Sequence, residues 1–120
     1  MIRGAVLVQP SALRRKALAG QASTGRRVIS GVLTERRFFR FRKTIGVDER
    51  VEDGVWVHEC KPLRIYVFGE TPRESWQTFI EFFECNWDSI AQQKDSRLSL
   101  DAQALKRKYL EIVESVEPVL

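Results

Sequence analysis

The clearest alternation of apolar and polar positions starts near Val28. "RRFFRFRKTIGV", residues 36 to 47, is rich in aromatic and β-branched residues and predicts a strand. Side chains alternate along a strand, so Phe39, Phe41 and Ile45 share one face and Phe38, Arg40, Arg42 and Thr44 the other. "DERVEDG" then supplies turn chemistry, with Asp53-Gly54 suited to positive φ. "VWVHEC" is a second strand ended by Lys61-Pro62, and "LRIYVFG" is a third. Connections this short favour antiparallel neighbours, hence a meander.

The period then changes. Thr71-Pro72-Arg73-Glu74 fits a capping box, with Thr71 as N-cap, Pro72 at the first helical position and Glu74 reaching back. Trp76, Ile80, Phe83, Trp87 and Ile90 recur at spacings of four, three, four and three, which predicts an amphipathic helix to about Gln92. "KDSRLS" breaks it. Ser99 caps a second helix with Asp101 in its first turn; Ala102, Leu105, Tyr109, Ile112 and Val116 form its stripe, and Pro118 ends it. The expected fold class is therefore α+β: a three-stranded antiparallel meander, one amphipathic helix packed on a face, and a second C-terminal helix.

In the third strand Leu63, Ile65 and Val67 point one way, under the helix, while Arg64, Tyr66 and Phe68 point the other way. Trp56 and His58 share one side of the second strand. A sheet with one helix on it is normally polar on its far side. This one reads as apolar on both faces, so a cover is expected for the second.

Residues 1–30 are patterned differently: basic, nearly acid-free, with a short strand signal at Ile2–Val8 and a turn or two of helix signal after Ser11. They read as a transit-peptide-like stretch or a loosely attached basic N-terminal extension, leaving 31–120 as one domain. At 120 residues the chain has room for one core that needs no staples. Two cysteines, Cys60 and Cys85, make no disulfide framework, and the longest apolar run is too short for a bilayer. A reduced cytoplasmic setting without membrane contact is the expectation.

The net charge of +4 conceals a split. Residues 1–47 hold 11 Lys and Arg against the single acid Glu35, and residues 48–120 hold 9 against 15 acids. Either the first half meets an anionic partner, or the halves attract each other.

Candidate chemistry is sparse. His58-Glu59-Cys60 holds the only histidine, too few ligands for a zinc site unless both cysteines and a carboxylate converge. No second His, G-x-S-x-G or phosphate-cradling glycine loop is present. Glu81, Glu84 and Asp88 lie along one helical side, as a solvated face turned to the basic half would. No catalytic residue, metal or cofactor is expected. Arg36, Arg37, Arg40, Arg42 and Lys43, interleaved with phenylalanines, form the strongest partner surface. Arginine forks suit phosphates and rings can stack bases, and interface centres use the same residue types.

The run "DGVWVHECKPLRIYVFGETPRESW" resembles the HicB-like antitoxin domain. Asp53, Gly54, Val57, Cys60, Pro62, Leu63, Gly69, Glu70, Thr71, Glu74 and Ser75 carry the resemblance, over about residues 37–92. It implies a small α+β fold related to the RNase H sheet without its carboxylate cluster, and a non-enzymatic role in blocking a small RNA-cleaving toxin. Relatives often add a DNA-binding segment, which "LDAQALKRKYLEIVESVE" does not match. Protein contact through Trp56, Arg64, Tyr66 and Phe68, with a small partner or as a homodimer, is the leading expectation. Nucleic-acid binding through Arg36, Arg37, Arg40, Arg42 and Lys43 is the alternative.

Overall fold

The computed structural model describes residues 25–119, so the strand and helix signals at 2–8 and 11–19 lie outside the described residues. Those residues form an antiparallel sheet of five strands with two helices, an α+β fold. β1 (Gly25–Leu33), β2 (Arg37–Glu52), β3 (Val55–Cys60) and β4 (Ile65–Gly69) lie side by side in chain order. α1 (Pro72–Asn86) continues into a π turn at Trp87–Ala91, and α2 (Leu100–Ile112) leads directly into β5 (Val113–Pro118), which pairs with β2.

The expected meander is β2, β3 and β4. β2 and β3 are joined by the two-residue turn Asp53-Gly54, both at positive φ (51° and 83°). Primed turns of this kind match the twist of the strands they connect. β1 and β5 were not expected. β1 starts at Gly25, across the boundary placed at residue 30, and the turn at Thr34 folds it back on β2. The second helix was expected to run on to Val116 but stops at Ile112. Val113 and Val116 instead pair with Phe41 and Phe39 in the sheet. Their β-branched side chains suit a pleated surface, and the pairing is long-range, so the helical spacing of Val116 was a coincidence.

β2 is 16 residues long and serves two neighbours on one side. Its first half pairs with β5 and its second half with β3, while β1 runs along its other side. Opposite Ser30 the β2 backbone bulges, since Ile29 pairs with Ile45 but Gly31 with Arg40. Arg42, Lys43 and Thr44 sit in this bulge and are exposed.

Both helices pack on one face. Phe39, Phe41, Ile45 and Val47 of β2 and Ile65 and Val67 of β4 meet Phe79, Phe83 and Trp87 of the first helical segment and Leu105, Tyr109 and Ile112 of α2. Phe39 lies edge-on to Phe83 and Trp87 at 5.1 and 5.6 Å. The buried line of α1 is Ser75, Phe79 and Phe83, with Trp76 and Ile80 half-buried beside it. Two polar residues therefore hold inward positions, each with a reason: Ser75 meets His58, and Thr78 Oγ1 donates to the Glu74 carbonyl. Thr71 caps α1 and Ser99 caps α2, each accepting a backbone N–H three residues on. No helix among the described residues is long and apolar enough to cross a membrane.

Candidate functional site

The Asp53-Gly54 turn sets the register that builds the far face, placing Arg50 opposite Val57 and Glu52 opposite Val55. Across β3, Val57 faces Phe68 and Glu59 faces Tyr66. This face turns away from both helices, and no element among the described residues covers it. Val57 is nonetheless buried, flanked in register by Arg50 and Phe68. Around it runs a polar network. Arg50 donates to Glu52 at 2.5 Å and to Glu59 at 2.8 Å, and Tyr66 Oη donates to Glu52 at 2.6 Å.

Each group in the network tunes the next. The Tyr66 hydrogen bond, then Arg50, hold the Glu52 carboxyl below its ordinary range. The Glu52 hydrogen bond, then desolvation, push the Tyr66 phenol up, and hydrogen bonds to Glu52 and Glu59 raise Arg50. Charge is thus fixed in place beside two rings: Tyr66, 47% exposed, and the half-buried Phe68. A guanidinium, a phenol and a phenyl group held this way suit the centre of a protein interface.

Of the residues expected on this face, Tyr66 and Phe68 are there and two are not. Trp56 pairs with Gly69 and alternates with His58 onto the helix side. Arg64 precedes β4, at φ 55° beyond the Lys61–Leu63 turn, and its guanidinium reaches Asp101 of α2 at 2.6 Å. Arg50, Glu52 and Glu59 were missed. The two-residue turn alone carried the signal, because it fixes which β2 residues stand opposite β3.

The basic group divides. Arg36 and Arg37 pair with Glu84 and Asp88 of the first helical segment, Arg37 at 2.8 Å to each, so the acidic helix side does face the basic stretch. Hydrogen bonds to Asp88 and Glu84 outweigh burial and raise the Arg37 guanidinium. Arg40 lies over the Phe38 ring, and Arg40, Arg42 and Lys43 are exposed without an ion pair among the described residues. All 16 acids of the chain fall in residues 25–119, with 16 of its 20 Lys and Arg, so that body is neutral. The excess of +4 belongs to Arg3, Arg14, Arg15 and Lys16.

Behind the sheet His58 is fully buried, between Ser75 Oγ (2.7 Å from Nδ1) and Glu49 Oε2 (2.8 Å from Nε2). An ionised carboxylate only accepts, so Nε2–H donates to Glu49 and Nδ1 accepts from the Ser75 hydroxyl. The line has the order of a nucleophile, base and acid. Ser75 is fully buried, however, so its Oγ has no route to a substrate in this fold. Arg27 closes the cluster, 3.6 Å from Glu49 and 4.2 Å over the Trp76 ring. The arrangement ties β1, β2, β3 and α1 together. Cys60 is buried, with its thiol pushed up by desolvation, and Cys85 is exposed; both are free. Among the described residues no cluster of three or more His, Cys, Asp or Glu could hold a metal ion.

No family model, curated protein or solved structure matches the chain.

Proposed function

We infer that this chain is a non-enzymatic binding module of the HicB-like kind, acting by protein–protein contact on a small partner such as an RNA-cleaving toxin. The observation that carries the reading is the helix-free face of the sheet, where Tyr66 and Phe68 stand beside an immobilised Arg50. Supporting it is the order of elements over residues 37–92, two paired strands, a turn, a third strand and a Thr-capped helix. A prepaid hydrogen-bond network lowers the ordering cost of docking, because Arg50 and Tyr66 already hold one geometry.

The test is co-expression with the product of a neighbouring toxin-like reading frame. The wild-type chain retains that product on a column and suppresses its growth defect. Tyr66→Glu with Phe68→Glu releases it while the circular dichroism is unchanged. Retention that ignores both substitutions overturns the reading.

The alternative, nucleic-acid binding, rests on Arg40, Arg42 and Lys43 at the β2 bulge, which have no ion pair among the described residues. It requires salt-dependent retention on a polyanion that Arg40→Glu with Arg42→Glu lowers. Retention that falls only when residues 1–24 are deleted assigns the contact to the four cations there instead.

A further inference from the structure

Sheet edges invite pairing, and proteins blunt them with charge, proline or brevity. Two of the open edges here follow that rule. β5 carries Glu114, Glu117 and Pro118, and β4 has only five residues. β1 does not. It is nine residues long, with β2 on one side and nothing on the other among the described residues. Val28 to Leu33, "VISGVL", is an unbroken stretch without charge or proline. Val28 and Leu33 are 62% and 60% exposed.

This stretch is also symmetric. The bulge opposite Ser30 breaks the alternation, so Ile29 and Val32, three apart, both face the core. Val28 and Leu33, paired with Gly46 and Phe38, both face outward. The pattern therefore mirrors about the midpoint between Ser30 and Gly31. An antiparallel strand from a second copy, related by a two-fold axis through that midpoint, sets Val28 opposite Leu33, Ile29 opposite Val32 and Ser30 opposite Gly31. Every pair then keeps its face, which edge-to-edge pairing demands. Beyond these six residues the register ends, because the chain turns back to β2 at Thr34 and Arg26 pairs with Asp48 of its own chain.

We propose that two copies of this chain pair through β1 in this register, joining their sheets into one. The contact is isologous, closes at two, and leaves the face bearing Tyr66 free, so it stands apart from the reading above.

Sedimentation equilibrium of the full chain tests it. The wild type sediments as a dimer, and Val28→Lys with Leu33→Lys weakens association by roughly a hundredfold. Both side chains are exposed in the protomer, so circular dichroism stays native. Val28→Cys with Leu33→Cys, set opposite each other only across the two-fold contact, joins two copies through disulfides on mild oxidation. Tyr66→Glu leaves the dimer intact. A wild-type monomer at high micromolar concentration overturns the proposal. So does a monomer that dimerises once residues 1–24 are removed, which gives the edge to the chain's own first segment. A dimer indifferent to the two lysines, or lost to them while the cysteine pair fails to crosslink, overturns the contact or its register.

Discussion

His58 shows how one residue links sheet and helix. Burial pushes its ring below the usual value, opposed by the Glu49 hydrogen bond and aided by nearby Arg27. The folded chain thus binds fewer protons at this ring than the unfolded chain does. Stability from His58 is complete above its unfolded value, about pH 6.5, and is lost as pH falls towards the lower folded value. Urea denaturation from about pH 8 to about pH 5 checks this, and a flat profile contradicts it. Ser75→Ala leaves a buried Nδ1 acceptor unpaired, at a cost of about 1–3 kcal/mol. The sequence marked His58 as unusual but not its partners. Glu49 is reachable through the Asp53-Gly54 register, whereas Ser75 depends on the helix docking angle, which no local pattern records.

At the scale of elements, local signals were legible and long-range ones were not. The Asp53-Gly54 turn, both helix caps and the β2–β3–β4 meander follow from adjacent residues. β1 and β5 exist because β2 is long enough to serve several partners. Neither announces itself: "GRRVISGVL" lies beside a basic stretch, and "VESVEP" continues a helical stripe. The inward face of α1 begins one position before Trp76, because Ser75 turns its hydroxyl to His58 and Thr78 bonds the Glu74 carbonyl, while Phe83 and Trp87 are buried as expected. Packing, not surface charge, holds these layers together. Phe39→Ala removes a fully buried ring that meets Phe83 and Trp87, and costs about 3–5 kcal/mol. Arg36→Ala, at an ion pair largely in solvent, costs under about 1 kcal/mol. Equal losses in urea titrations of the two variants contradict this ordering.

For the whole molecule, the division of charge changes the view that the sequence suggested. Of the 11 cations in residues 1–47, seven belong to the body at 25–119, whose later acids balance them, and four lie upstream of it in sequence. Within the body, Arg36 and Arg37 answer Glu84 and Asp88, so part of the supposed partner surface is spent internally. The expectation of a second apolar face holds only in part: the helix-free side carries Phe68 and Tyr66, yet Arg50, Glu52 and Glu59 interleave with them. That mixture is why contact with a protein, rather than burial under a further helix, is the reading argued for this face.

Hydroxyl-radical footprinting of the chain, alone and with the co-expressed neighbouring product, tests this most directly. Labelling of Tyr66 and Phe68 should fall several-fold in the complex while Leu110, exposed on α2, labels as before. Tyr66 labelling at its free rate, with protection confined to the helices, would contradict a docking role for the helix-free face.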